Sequence, residues 1–514
     1  MVAYIFRRFG ILAVILFGSS FILYNLAAIS GDPLADLKTS TDPNRDFLVA
    51  ERTRALQLNV PPPIRYFLWL KGVFGFVIGK ADFGMTRQGS TVISELSLAI
   101  PTTIRLVLVA TIVAIVLGIA LGIVTALRQY SRFDYSMTFF SFLMFSLPIF
   151  WVAVLLKEYL AISFNNFLSD PHVPLKFIIG ASLVSALFWS SLIGRSRATF
   201  WKTFGIVAVS SAAILKIMDL VSWFTNPRLG IFLVTGFSVG IAFGVTQLSV
   251  GLTNRAALKA SLVMSALTFV LYYPINFLFE KKMNSWILVG LLVLTIGVGL
   301  LVGFAFSKID RGPIMRTTAI TAFLSAFLLL VDKFMYTWKP YSETDAINYR
   351  PVPTIGQRND MLYSDDFWIT NLDVLIHLFL PTIALTLISF AGYIRYSRGT
   401  LLEVLNQDYI RTARAKGLTE RTVIMRHAFR NTLIPLTTII VVDFAGIIGG
   451  AIITESVFGW SGMGTLFRRG IFEFDLNLLM GVFFVTATLS VLANLVADLL
   501  YSALDPRIRV GSGA

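Results

Sequence analysis

Pro101-Thr-Thr-Ile-Arg-Leu-Val-Leu-Val-Ala-Thr-Ile-Val-Ala-Ile-Val-Leu-Gly-Ile-Ala-Leu-Gly-Ile-Val-Thr-Ala-Leu127 contains one charged side chain, Arg105, followed by 22 residues without any. A helix needs about 20 mostly apolar residues to cross a bilayer. The rest of the 514-residue chain has the same texture. Hydrophobic residues make up 56%, charged residues 14%, and the mean hydropathy is +0.76. An average soluble domain carries roughly 25% charged residues. A soluble protein of this size needs a charged skin that this composition does not supply. Ordinary globular enzymes, disordered chains and secreted disulfide scaffolds are therefore disfavoured together. The expected fold class is an all-α polytopic membrane protein.

On the N-terminal side, 9–29 reads as a first span led by Arg7 and Arg8. It is longer than the roughly 7–15 residues of a signal-peptide core, and the basic pair places the N-terminus in the cytoplasm. Residues 31–99 read as an external loop with short helices, because Pro61-Pro62-Pro63 cannot be helix interior. On the C-terminal side, the basic Arg128-Gln-Tyr-Ser-Arg132 leads to a third span at 137–162. Six further apolar segments follow at about 175–194, 204–223, 229–250, 258–279, 285–307 and 317–336. Their first, third and fifth linkers are the more basic, holding Arg195, Arg197 and Lys202, then Arg255 and Lys259, then Lys308, Arg311 and Arg316 against Asp310. The positive-inside rule puts those three linkers in the cytoplasm, so the block leaves and rejoins on the outside. An acidic external loop at 337–371 precedes three last spans at about 372–394, 433–454 and 476–501, for about twelve in total. The net charge of +14 is then loop charge on the cytoplasmic side, and nucleic acid is not an expected partner. With no cysteine and only His172, His377 and His427, far apart, a metal site is not expected. Gly79-Lys80 is no phosphate-binding loop, since Ala81 follows where Ser or Thr is needed.

The largest cytoplasmic segment contains Asp408-Tyr-Ile-Arg-Thr-Ala-Arg-Ala-Lys-Gly417-Leu-Thr-Glu-Arg-Thr-Val-Ile-Met-Arg-His-Ala-Phe-Arg-Asn431-Thr-Leu-Ile-Pro435. It reads as two short amphipathic helices broken at Gly417, where a positive φ suits glycine. Thr419 restarts the helix. Ala413 and Ala415 are small enough to let another surface approach the backbone. The alternative is a basic helix lying on anionic lipid headgroups, which would want a large apolar face with Trp or Phe. The apolar residues from Asp408 to Lys416 are few and small, which favours a docking element for a cytoplasmic partner.

Arg411-Thr-Ala-Arg-Ala-Lys-Gly417, followed at 18 residues by Pro435, resembles the EAA motif of ABC-importer permeases, in the variant of the dipeptide/oligopeptide/nickel permease family. The resemblance continues through Ser30-Gly-Asp-Pro33, Asp82-Phe-Gly84, Ile100-Pro-Thr-Thr-Ile-Arg105 and Ser146-Leu-Pro-Ile-Phe-Trp151. It resumes at Tyr393-Ile-Arg-Tyr-Ser-Arg398, Leu402-Glu-Val-Leu-Asn-Gln-Asp408, Glu455-Ser-Val-Phe-Gly-Trp-Ser-Gly-Met-Gly464 and Leu504-Asp-Pro-Arg-Ile-Arg509. It covers about 1–165 and 350–509. Three departures stand out. Arg411 replaces the glutamate that names the motif, Ser461 stands where the family usually has proline, and six spans are inserted between the family's third and fourth.

The resemblance implies a six-span permease core plus about six inserted helices. The chain divides accordingly into 1–30 (first span), 31–99 (external loop), 100–165 (second and third core spans), 174–336 (inserted block), 337–371 (external loop) and 372–509 (remaining core), with the coupling segment at 403–431. It implies Arg411, Thr412, Ala413, Ala415, Gly417, Leu418 and Pro435 as the ATPase-coupling residues. The implied partners are a second homologous permease, two cytoplasmic ATP-binding subunits and an external solute-binding protein. ATP and Mg would bind to the ATPase partner, leaving this chain without cofactor or catalytic residue. The implied substrates are di- or oligopeptides and the implied location is a bacterial or archaeal plasma membrane, with both termini cytoplasmic. A twelve-span secondary transporter is the alternative, but it would show two related halves, and none is visible. A membrane-embedded transferase would use acids in the first outer loop, yet Asp32 lies within the family-like Gly31-Asp-Pro33.

Intramembrane ionisable residues are functional candidates by default. Asp443 and Asp498, in family-like spans, are the pathway candidates. Lys216 and Asp219, three apart in the inserted block, suit a self-neutralising ion pair. Asp332 and Lys333 lie near a span end, where snorkelling to the headgroups is expected. With few other ionisable residues, the block is expected to be a peripheral module.

Overall fold

The computed structural model describes residues 2–75, 79–194, 196–307, 311–447 and 452–504. Arg195, Lys308, Asp310, the terminal Asp505-Pro-Arg-Ile-Arg509 and the side chain of Asp498 lie outside the described residues. The helices are, in order, α1 Val2–Ser30, α2 Ala35–Thr39, α3 Arg45–Ala55, α4 Pro62–Phe74, α5 Val92–Leu127, α6 Arg132–Ser146, α7 Ile149–Leu156 and α8 Ser163–Ser169. There follow α9 Leu175–Ile193, α10 Arg197–Leu220, α11 Gly230–Ser249, α12 Arg255–Phe279, α13 Ser285–Phe306 and α14 Arg311–Ser342. The last are α15 Phe367–Leu405, α16 Asp408–Ala415, α17 Glu420–Thr422, α18 Phe429–Ile447, α19 Ile452–Phe458, α20 Met463–Phe472 and α21 Leu476–Leu504. Among the described residues no strand forms, and one isolated bridge joins Met85 to Thr91.

Among the described residues, ten helices are long and apolar enough to cross a membrane, or eleven if one bent pair counts as a single span. Two expected spans account for the difference from twelve. The third is not straight: α6 and the helix that follows from Ile149 meet at 102°. Leu147 is extended (φ −83°, ψ 131°) because it precedes Pro148, which disfavours helical backbone in the residue before it. The span expected at 433–454 is represented by α18, which ends at Ile447, with 448–451 outside the described residues. The second span starts earlier than its hydropathy suggests. Thr91 caps α5 by accepting from the Ser94 N–H, so Pro101 lies within the helix. α4 begins with Pro62, whose missing N–H costs nothing in a first turn.

The chain forms two compact units, one of residues 1–160, 354–357 and 377–514, the other of 161–353 and 358–376. In the first, α5 packs against α18, α20 and α21. Its buried face steps through Leu106, Ala110, Ala114, Gly118, Gly122 and Ala126, close to every fourth residue. A Cβ on Gly118 would strike the Tyr393 Cβ, and one on Gly122 would strike the Ser397 hydroxyl, so α5 and α15 approach nearly backbone to backbone. The Ser397 hydroxyl reaches the Gly118 carbonyl at 3.2 Å. Such small-residue contact is how helices associate where no hydrophobic effect drives them together.

In the second unit, α9 pairs with α10, and α11, α12, α13 and α14 form a bundle. Asn254 and Asn284 cap α12 and α13 through their side chains. The bundle interior is held by hydroxyls: Ser238 to Ser325 at 2.7 Å, Thr317 to Ser249 at 2.7 Å, and Thr246 to Ser261 at 3.2 Å. Lys216 and Asp219 form the expected ion pair at 2.7 Å, and Asp219 also accepts the Val173 N–H.

Candidate functional site

α16 is eight residues long and has two unlike faces. Ile410 and Ala413 are buried in a cluster with Ala126 of α5, Leu401 of α15, Val423 and Ala428. Arg411, Thr412, Ala415 and Leu418 are exposed. The small side chain of Ala413 therefore serves contact with the chain's own helices, and the approachable part of the segment is the face carrying Ala415. Tyr409 accepts a hydrogen bond from the Asn431 amide at 2.8 Å, which ties α16 to α18.

The helix ends at a Schellman turn. The Gly417 N–H donates to the Arg414 carbonyl at 2.9 Å and the Leu418 N–H to the Ala413 carbonyl at 3.4 Å. Gly417 takes φ +76°, and a Cβ there would meet nothing within 4 Å. Glycine is needed for its backbone conformation at this position and not for space. Thr419 then caps α17 by accepting from the Thr422 N–H at 3.4 Å. Arg414 grips Glu420 through two hydrogen bonds, 2.6 and 3.1 Å, across the turn. These bonds hold the Glu420 carboxyl below its ordinary range and the Arg414 guanidinium above its own. One π-helical turn, Val423–Ala428, joins this element to α18. Pro435 lies within α18, one turn and a half after its start.

Asp134, in the first turn of α6, is a buried charge that the sequence reading did not single out. It is buried and takes both guanidinium arms of Arg398, at 2.8 and 3.0 Å. The pair locks the start of α6 to α15 a short way before the coupling segment. Tyr393-Ile-Arg-Tyr-Ser-Arg398 was legible as a motif, but nothing marked its partner 264 residues away.

Of the two pathway candidates, Asp443 is exposed and accepts a hydrogen bond from the buried Tyr393 hydroxyl. The side chain of Asp498 lies outside the described residues. Glu455, which heads a family-like motif but carried no role in the sequence reading, is fully buried. It accepts from the Thr103 hydroxyl at 2.7 Å and the Thr465 N–H at 2.9 Å, so its carboxylate caps the start of α20 and holds that helix to α5. Ser461 lines a cavity of about 570 Å³ with Glu95, Thr465, Arg468, Arg469 and Glu473, and Arg469 pairs with Glu95 at 3.1 Å. Lys333 does not snorkel: it and Asp332 are 8% and 5% exposed. Among the described residues no group of acids and histidines could hold a metal ion.

Residues 295–510 match the family described as binding-protein-dependent transport system inner membrane component. The match starts inside α13, earlier than the resumption near Arg350 that the motifs suggest. The chain is 46% identical over 138 residues to the oligopeptide transport system permease protein OppB of Mycobacterium tuberculosis (strain ATCC 25618 / H37Rv), a stretch covering 27% of this chain and 42% of that protein. It is 45% identical over 136 residues to the oligopeptide transport system permease protein AppB of Bacillus subtilis (strain 168), covering 26% and 43%. The chain thus spans less than half the length of these two relatives. With the dipeptide transport system permease protein DppB of Escherichia coli (strain K12) it shares 33% identity over 235 residues, covering 42% of this chain and 68% of that protein. An all-helical polytopic chain with this ordered set of motifs and this coverage belongs to the family of binding-protein-dependent transport system inner membrane components, the permeases of ABC importers.

Proposed function

We propose that the chain is the membrane-spanning permease subunit of an ATP-driven importer of di- or oligopeptides. The names of its relatives support the substrate class. The observation that carries the mechanism is the two-faced α16. Its exposed face, with Arg411, Thr412, Ala415 and Leu418, offers a partner a basic rim around small side chains. Its other face is anchored through Ile410 and Ala413 to α5, α15 and the turn leading to α18. In this reading two cytoplasmic ATP-binding subunits close on ATP and move α16, and the anchoring cluster passes that motion to the spans, whose access alternates. ATP and Mg bind to those subunits. A second homologous permease completes the pathway and an external solute-binding protein delivers the peptide. Both termini and the coupling segment face the cytoplasm, and the inserted block is a peripheral module.

The test is Gly417→Val in the complex reconstituted with its partners. A β-branched residue resists φ +76°. Insertion should stay near normal while ATP hydrolysis loses its coupling to peptide uptake. Substrate-stimulated hydrolysis and uptake both at the unsubstituted rate would defeat the reading.

A further inference from the structure

At the end of the α11–α14 bundle that carries Asn226-Pro-Arg228 and Glu280 lies a cavity of about 420 Å³. Its floor is Asp332, whose carboxylate accepts three hydrogen bonds: from the Leu229 N–H at 2.8 Å, the Gly230 N–H at 3.1 Å and the Tyr272 hydroxyl at 2.6 Å. Asp332 thereby caps the start of α11, and most of its acceptor capacity is used within the fold. The next residue, Lys333, is nine-tenths buried and points its ammonium over two rings, Tyr336 at 5.2 Å and Trp368 at 5.8 Å. Among the described residues it has no carboxylate partner within salt-bridge distance. Trp368 is fixed in place by its indole N–H, which donates to the Phe279 carbonyl at 2.7 Å. Arg228 lays its guanidinium over the same Tyr336 ring at 4.7 Å.

Two cations therefore converge on one aromatic ring at the wall of a cavity, and the nearest buried acid already accepts three hydrogen bonds from within the fold. Glu280, on the exposed rim, is the other acid lining the space. Burying an ammonium without a partner is costly, and cation–π contact offsets only part of that cost. An anion between Arg228 and Lys333 would supply the rest. The guanidinium fork can take two oxygens of a tetrahedral group while the ammonium takes a third that points another way, which uses both cations at once. Exposed Phe232 and Tyr273 at the mouth resemble the aromatic residues that sit at headgroup level.

We propose that this cavity binds a phosphate-bearing anion, either a phospholipid headgroup or free phosphate, held between Arg228 and Lys333 on the Tyr336 ring. The inserted unit then carries a ligand site of its own, independent of the coupling segment.

The full chain in a neutral detergent is titrated with dihexanoyl phosphatidylglycerol and, separately, with inorganic phosphate, and tryptophan emission is followed. Saturable binding is expected, weakened at least tenfold by Lys333→Gln and by Arg228→Gln. Glu280→Gln should leave it unchanged or tighten it. Arg228 is exposed, so its variant tests the site even if Lys333→Gln folds poorly. Response to the lipid alone identifies a headgroup site, and equal response to both identifies free phosphate. Binding of neither overturns the proposal, as does full affinity in Arg228→Gln or loss of affinity in Glu280→Gln.

Discussion

The two units meet the same packing problem with different proportions of hydroxyl contacts and buried carboxylates. In the second unit, α11, α12 and α14 are joined largely by neutral hydroxyl pairs such as Ser238–Ser325 and Thr246–Ser261, beside the buried carboxylate of Asp332. In the other unit, buried carboxylates join segments far apart in sequence. Asp134 takes Arg398, Glu455 takes Thr103 across 352 residues, and Asp475 takes the Arg87 N–H across 388. A hydroxyl pair is worth little if it slips, because each hydroxyl can turn back to its own helix, as Thr321 does to the Thr317 carbonyl. A buried carboxylate left without its donors is far more expensive. In the first unit these carboxylates tie together segments that are hundreds of residues apart. In the α11–α14 bundle one buried carboxylate, Asp332, makes a tie of the same kind, to the start of α11 and to Tyr272 of α12.

The strongest test of this contrast pairs two glycines. Gly122→Leu would drive a side chain into Ser397 and bring its Cβ to 2.9 Å from the Ile394 carbonyl oxygen. We expect little or no folded chain to be recovered in detergent. Gly240→Leu in α11, where a Cβ meets nothing within 4 Å, should leave the fold intact and shift stability by no more than about 1 kcal/mol, in the stabilising direction, because glycine is the poorer helix former. Similar thermal unfolding for the two would remove the distinction.

A smaller effect is expected at Glu455. Glu455→Ala leaves the Thr103 hydroxyl and the Thr465 N–H without their acceptor, at about 1–3 kcal/mol for each buried donor. The unfolding midpoint should fall by several degrees, and Glu455→Gln, which keeps an acceptor, should recover part of it. Ser238→Ala in the inserted bundle should cost less than Glu455→Ala, and the reverse order would break the comparison.

The smallest effect belongs to Arg414–Glu420, whose side chains are 43% and 57% exposed. Solvent screening holds such a pair to about 1 kcal/mol or less. Its sign is fixed by the carboxyl. Because Arg414 holds the Glu420 value below the ordinary 4.5, the stabilisation is complete above that value and lost as pH falls through the lower folded-state value. Glu420→Gln should therefore lower the unfolding midpoint slightly at pH 7 and not at all in strong acid. A constant difference from neutral to strongly acid pH would show that the pair acts by packing.

Much of the coupling segment was legible because its signals are local. Gly417 between Lys416 and Leu418 announces a left-handed turn, and Thr419 announces the next cap, from backbone conformation and hydrogen bonding within a few residues. The direction in which Ala413 faces was not legible. It depends on Ala126 and Leu401, which approach from helices elsewhere in the chain. The same limit hid Asp134 and Glu455, since an acid in an apolar segment looks alike whether its partner is a neighbour, a distant arginine or a substrate.

By itself the sequence determined that the chain crosses a membrane many times, where its helices break at Gly417, and which family it resembles. Hydropathy, turn chemistry and motif order are properties of contiguous residues. Only the tertiary structure decided which glycines are contacts. Gly118 and Gly122 in α5 have the same four-residue spacing as Gly236, Gly240 and Gly244 in α11, yet the first two meet another helix and the other three meet nothing within 4 Å. It also decided that α6 and α7 meet at a sharp bend and that Lys333 turns into a cavity lined by rings. A helix presents every side of itself in its sequence, and which side is covered is set by helices that the local sequence does not contain.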